Sequence, residues 1–328
     1  MKGLTRKDYQ NENEVRWCPG CGDYAILATV QKTLADLSIK KENAVFVSGI
    51  GCAARFPYYM NTYGLHTIHG RGPAIASGLK LARPELDVFL VTGDGDGLSI
   101  GASHLLHLIR RNIDITVLLF NNQIYGLTKG QYSPTSLRGQ KAKSTPFGSL
   151  EEPINPVSFA LSAGAGFVAR AIDNDAVHLG NVLKAAIEHK GTSFVEIMQT
   201  CVVFNDDAFE HARDKNQKDH NVLVLKDNEP LLFAQGLKGI GFDTDKLTPI
   251  LVNGHDARLM LHEPKNSLKA SILASMQWPE FPLMIGVFRN VERRTYESLK
   301  DAQDKDVKAR AKSTQIQDLL YGSNTWCV

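Results

Sequence analysis

Val88-Phe-Leu-Val-Thr-Gly-Asp-Gly-Asp-Gly97 is an apolar run that ends in glycines and carboxylates. Leu118-Leu-Phe-Asn-Asn122 is a second apolar run, ending in two carboxamides. Short apolar runs bounded by turn residues read as buried strands. Between them, Leu98, Ala102, Leu105, Leu106 and Ile109 share one helical face, and Arg110 and Arg111 sit where the helix dipole favours cations. Two adjacent parallel strands joined by a helix deliver Asp94 and Asn122 to the same C-terminal sheet edge. Open α/β sheets bind ligands at that edge. Hard oxygen donors beside a glycine-rich turn suit Mg²⁺ bridging to phosphate oxygens.

Two other phosphate signatures fail on spacing. A dinucleotide fingerprint starting at Gly93 or Gly95 needs a small residue where Leu98 or Ile100 stands. A Walker A loop needs Lys-Ser or Lys-Thr after its glycines, and none follows. The GDG with its later NN resembles the thiamine-diphosphate signature instead. That resemblance implies a cofactor site for cleaving carbon–carbon bonds.

Composition narrows the setting. A chain of 328 residues with 43% hydrophobic and 22% charged content suits one large α/β domain, or a domain plus an extension. A formal net charge of +2 gives no argument for nucleic acid. No long apolar run reads as a membrane span, and the polar MKGLTRKDYQNENE start does not read as a signal peptide. The expectation is therefore a cytoplasmic protein without membrane partners, where structural disulfides are rare.

Residues 1–16 read as an N-terminal arm, mobile or partner-docking. Residues 23–38 have helical periodicity, Ala44–Ser48 reads as a buried strand, and Gly72–Arg83 as a helix opened by Pro73. The Gly-, Ser-, Thr- and Pro-rich stretch 126–150 reads as a functional loop. Helices at 155–164 and 175–190 alternate with strands Phe167–Arg170 and Ser193–Ile197, which predicts a parallel, doubly wound sheet. The expected binding domain is 17–207. Residues 208–328, with a hairpin at 221–234, a last apolar run at Phe281–Phe288 and a solvated helix within 290–315, read as an extension wrapping the domain or touching a partner subunit.

Four cysteines fall near the same edge. Cys18 and Cys21 form a CxxC in a glycine turn before a helix, Cys52 follows the Ala44–Ser48 strand, and Cys201 follows the strand at 193–197. Zinc, a [4Fe–4S] cluster and, for the CxxC alone, a dithiol redox pair are all candidates. A pair plus two distant single cysteines suits a cluster at least as well as zinc. A thiamine cofactor that releases single electrons favours the cluster, because zinc cannot accept them. Cys327 reads as an incidental thiol, and His104 and His107 as packing residues.

The segments CPGCGDYAIL, SGIGCAARFPYYMNTYGLHTIHGRGPAIASGLK, VTGDGDGLSIGASHLLHLIRRN, LLFNNQIYGLTKGQYSPTS and GTSFVEIMQTCVVFND cover most of residues 17–207. Together they resemble the β subunit of the 2-oxoacid:ferredoxin oxidoreductases, particularly the 2-oxoglutarate type. The resemblance implies a thiamine-diphosphate-binding fold in which Asp94, Asn122 and the Ile124 carbonyl bind Mg²⁺. Gly93, Gly95, Asp96 and Thr128 would line the diphosphate, and Cys18, Cys21, Cys52 and Cys201 would hold one [4Fe–4S] cluster. It also implies oxidative decarboxylation of a 2-oxoacid, with coenzyme A taking the acyl group and ferredoxin the electrons.

Arg55 and Lys129 are candidate cations for a substrate carboxylate, Arg being suited to bidentate binding and Lys to a point charge. His69 is a candidate proton or hydrogen-bond partner near the thiazolium. Thiamine chemistry also needs a Glu on the cofactor's pyrimidine, which in this fold belongs to another domain. The chain has room for only one such domain before residue 207, so an α subunit should supply that Glu and much of the substrate and coenzyme A site. The alternatives are a pyruvate or broad-specificity oxidoreductase, a non-redox thiamine enzyme, and a zinc-stabilised binding module.

Overall fold

The computed structural model describes residues 3–311, 315–322 and 326. Helix α1 (Asp23–Asp36) leads into β1 (Ala44–Ser48), edge strand β2 (Tyr63–His66), α2 (Gly72–Ala82) and β3 (Asp87–Gly93). Helices α3 (Asp94–Leu98) and α4 (Ala102–Arg111) then precede β4 (Thr116–Asn121). Two more helix–strand units follow: α5 (Pro156–Ser162) with β5 (Phe167–Ile172), and α6 (Ala176–Glu188) with β6 (Ser193–Met198).

The main sheet has eight strands in the order β2-β1-β3-β4-β6-β5-β11-β7, where β7 is Val222–Leu225 and β11 is Leu283–Asn290. All neighbours run parallel except β11, which pairs antiparallel with β5. Strands β1, β4, β5 and β6 are buried along their whole length, as strands covered on both faces must be. Alternate residues feed opposite layers. Val45, Val47, Val117 and Leu119 face a core with Leu105, Leu108 and Ile109 of α4. Phe46, Phe89, Leu118 and Phe120 face a core with Ile26 and Val30 of α1 and Leu179 and Leu183 of α6. The doubly wound α/β expectation holds, with one antiparallel strand added.

The helix after the GDG turn is broken. Ser99 leaves helical geometry, and the Gly101 amide bonds back to the Asp96 carbonyl at 3.1 Å. Within α4, Leu105, Leu108 and Ile109 form the buried face, and Leu106 points to solvent. The segment before residue 17 lies on the domain instead of standing off as an arm. Tyr9 is fully buried with its hydroxyl donating to the Ile39 carbonyl, and the Asn11 and Asn13 side chains each donate to the Tyr58 carbonyl at 2.8 Å. An aromatic ring with a paired hydroxyl anchors what its polar neighbours suggest is free.

Residue 207 is no boundary of the sheet, because β7 and β11 extend it. The hairpin expected at 221–234 does not form. Strand β7 joins the large sheet, whereas β8 (Leu232–Phe233) joins a three-stranded sheet with β9 (Lys238–Asp243) and β10 (Thr248–Asn253). Helices α7 (Glu210–Arg213), α8 (Lys215–Asn221) and α9 (Ser267–Ser275) lie among these strands in the chain, and α10 (Tyr296–Arg310) and α11 (Ile316–Tyr321) follow β11. Helix α10 is solvated as expected, anchored at its start by the buried Glu297. Cys327 lies outside the described residues. Among the described residues no helix is long and apolar enough to cross a membrane.

Candidate active site

The C-terminal ends of β1, β3 and β4 open onto a cleft with about 600 Å³ of empty space. Asp94 opens α3 at its floor and is buried. Its Oδ2 accepts hydrogen bonds from Ser133 Oγ at 2.5 Å and Thr135 Oγ1 at 2.6 Å, both from the 126–150 loop. Burial holds its carboxyl above the usual carboxylate range, and the two hydroxyls pull it back only in part. A cation would relieve that cost. Across the cleft Asn122 makes a local turn, its Oδ1 accepting from the Ile124 amide at 3.1 Å, and Asn122 and Ile124 both line the opening. Gly95 admits no side chain, because a Cβ there would stand 2.3 Å from the Tyr125 ring, whose hydroxyl donates to the Gly95 carbonyl. Oxygen donors around a glycine turn fit a hard cation and a diphosphate.

Asp96 lines the cleft, but its carboxylate is saturated by the protein. Oδ1 accepts from the Gly70 amide at 2.7 Å and the Ile50 amide at 3.1 Å and meets His69 Nδ1 at 2.5 Å; Oδ2 accepts from Thr92 Oγ1 at 2.7 Å. It therefore ties the Ile50 and Gly70 loops to β3 and fixes the His69 ring, leaving Nε2 as the nitrogen free for a ligand. Thr128 also lines the cleft, with its hydroxyl donating to Gln131 Oε1. Arg55 lies beside the cleft, in a recess that shares Ile50, Gly51 and Leu127 with it and adds Tyr58 and His66. Its Nε donates to Tyr59 Oη at 2.9 Å. Lys129 is exposed in left-handed backbone (φ 76°) and lines neither space. His104 meets Arg71 at the surface, outside the cleft.

The cysteines gather at the cleft's other wall. A Cβ on Gly126 would stand 3.4 Å from Cys201 Sγ and 3.6 Å from Cys52 Sγ, and Cys52 itself lines the cleft. Cys21 accepts a hydrogen bond from Gln199 Nε2 at 3.2 Å. Burial, followed by the charges of Asp23, Cys201 and Cys18, pushes the Cys52 thiol up to about 12. Cys21 rises through burial and then Asp23, Cys52 and Cys201. All four cysteines are thus electrostatic neighbours. Yet among the described residues no three His, Cys, Asp or Glu side chains stand close enough to hold one metal ion.

Sequence reasoning missed several cleft residues. Asp23 is fully buried beside the cysteines and lines the cleft, with no hydrogen-bond partner for either oxygen. Gln199 and Tyr125 also line it. Asp23 reads in sequence as an ordinary helix-opening acid. Ser133 and Thr135 read as loop polarity, and only closure of that loop reveals their aim.

The family model described as "Thiamine pyrophosphate enzyme, C-terminal TPP binding domain" matches residues 49–197. A Mycobacterium tuberculosis protein named 2-oxoglutarate oxidoreductase subunit KorB is 48% identical over 333 aligned positions, covering 98% of this chain and 88% of the relative. The chain belongs to the β subunits of the 2-oxoacid:ferredoxin oxidoreductases. An Aeropyrum pernix β subunit of that family is 51% identical over 60% of this chain and 62% of its own length. A solved 2-oxoglutarate:ferredoxin oxidoreductase from Magnetococcus marinus, with 2-oxoglutarate, coenzyme A and succinyl-CoA bound, superposes with a TM-score of 0.80 at 31% identity, covering 98% of this chain and 97% of that one. The similarity to the Mycobacterium tuberculosis and Magnetococcus marinus proteins therefore runs through the C-terminal strands as well as the binding cleft.

Proposed function

We propose that this β subunit, together with an α subunit, converts 2-oxoglutarate and coenzyme A to succinyl-CoA and CO₂, passing electrons to ferredoxin. The observation that carries this reading is the shared wall at Gly126: the turn that follows Asn122 and Ile124 also packs against two of four gathered thiols. A diphosphate site and a redox site are thereby joined through one loop. Asp94, Asn122 and the Ile124 carbonyl would hold Mg²⁺, with Gly93, Gly95 and Thr128 along the diphosphate and Asp96 ordering the loops around it. Cys18, Cys21, Cys52 and Cys201 would hold a [4Fe–4S] cluster. When bound, thiamine diphosphate supplies the carbanion chemistry and the cluster the one-electron steps.

The chain's own residues bind and orient. His69 lines the cleft with Nδ1 committed to Asp96, so Nε2 is the nitrogen it would offer to a ligand. Arg55, in the adjoining recess, suits the distal carboxylate of a dicarboxylate substrate, while Lys129 would act only as a more remote cation. The pyrimidine-activating Glu and the coenzyme A site belong to the partner, so the isolated chain should be inactive. Anaerobic co-purification of the pair tests the reading. The complex should be brown, bleach on reduction, and turn over 2-oxoglutarate faster than pyruvate or branched 2-oxoacids. Colourless protein with stoichiometric zinc would refute it.

A further inference from the structure

A chain of buried hydrogen bonds runs from Asp94 away from the cleft into the sheet. Thr135 Oγ1 lies 2.6 Å from Asp94 Oδ2 and 2.9 Å from Asn121 Oδ1. Asn121 Nδ2 donates to Glu196 Oε1 at 2.7 Å, and Arg170 Nε donates to Glu196 Oε2 at 2.7 Å. Asn121, Thr135, Arg170 and Glu196 are all buried. An ionised carboxylate only accepts and an arginine only donates, so the amide of Asn121 has one satisfied orientation. Its nitrogen faces Glu196, and its oxygen faces Thr135 and the Gln123 amide at 3.2 Å.

Thr135 has one hydroxyl proton for two close acceptors, Asp94 Oδ2 and Asn121 Oδ1, with Ser133 Oγ farther off at 3.3 Å. Ser133 supplies Asp94 Oδ2 with a separate donor. We propose that Glu196, held by Arg170, is a positioning residue that fixes Asn121 as a second acceptor, so the Thr135 hydroxyl can leave Asp94 when the metal–diphosphate arrives. Without that alternative, giving Asp94 to a cation leaves this buried hydroxyl only the longer contact to Ser133 Oγ at 3.3 Å, which costs affinity. The proposal rests on the reading of Asp94 as a metal ligand.

Glu196→Gln tests it with a definite direction. Arg170 should turn the new amide so that its oxygen accepts from Nε and its nitrogen faces Asn121. Asn121 then flips, presents its nitrogen to Thr135, and the alternative acceptor is gone. Titration calorimetry of the apo α/β complex with Mg²⁺ and thiamine diphosphate should show about tenfold weaker binding, the size of a typical outer-shell effect. The same substitution in a Thr135→Val background should show no further loss, because no hydroxyl remains to be stranded. Equal weakening in both backgrounds, or none in either, overturns the proposal. If the Glu196→Gln complex does not assemble, Asn121→Leu with and without Thr135→Val predicts the same pattern. Asp94→Asn is read alongside: unchanged affinity there would refute the metal-ligand reading itself, independently of the cycle.

Discussion

On the β3–β4 side of the cleft the buried polar groups are bonded to protein partners: Asp94 to Ser133 and Thr135, Asp96 to two loops and to Thr92 of β3, Asn121 to Glu196. On the cysteine side Asp23 has no hydrogen-bond partner for either oxygen, and the thiols of Cys21 and Cys52 are held well above their usual range by burial and neighbouring charge. The first region is a scaffold whose buried groups satisfy one another. The second leaves a buried carboxyl unpaired beside buried thiols, and under the proposed function a metal cluster would take up those thiolates. On that proposal one wall is preorganised by the chain and the other by what it would bind.

Breaking each wall separately should break one half of the chemistry. The largest effect is expected from Asp94→Ala, which should bring thiamine-dependent turnover of the α/β complex to background while leaving its visible cluster absorbance intact. Loss of both together would show the two walls to be one cooperative unit. Cys52→Ser reverses the pattern. The visible band should be lost or strongly reduced and electron transfer should stop, whereas the affinity for Mg²⁺ and thiamine diphosphate, read by calorimetry, should stay within about threefold, well under a decade in Kd.

A third substitution probes the recess between the walls. Arg55→Lys keeps the charge and removes the planar fork, so the KM for 2-oxoglutarate should rise by about tenfold to a hundredfold, with little change for pyruvate. An equal rise for both substrates would place Arg55 in the scaffold, beside Tyr59, rather than on the distal carboxylate.

The half of the cleft that was legible in the sequence is the half whose signal is local. GDG is contiguous, NN follows at the end of the next strand, β4, and CxxC is contiguous, so each pattern reports its own turn. Ser133, Thr135 and Asn121 were not legible, because their roles depend on how the 126–150 loop closes over β3. The same distinction holds for the fold. The strands from β1 to β6 announce themselves as alternating strand–helix units, and all were found apart from the exposed edge strand β2. Strand β11 also showed as an apolar run, but its antiparallel place beside β5 is a pairing between distant segments that no local pattern encodes. Tyr9 illustrates the opposite trap: one buried ring outweighs its many polar neighbours in fixing where this segment lies.

The smallest expected effect bears most directly on the contrast between the two walls. Burial, and secondarily the charge of Asp173, raise the Asp23 carboxyl to about 7. In the unfolded chain the group titrates near ~3.9. Between these values the folded state holds the proton more tightly, so stability is full below about pH 4 and declines as pH rises through about 7. Asp23→Asn keeps the shape and removes the charge. The cluster-free variant should therefore match the cluster-free parent near pH 4 and exceed it at pH 8, by on the order of 2 kcal/mol after allowing for relaxation around the buried group. Thermal melts across that range read the difference directly. Parallel curves for the two proteins would mean that Asp23 finds a partner in solution, and the cysteine wall would then be as self-sufficient as the one built around Asp94.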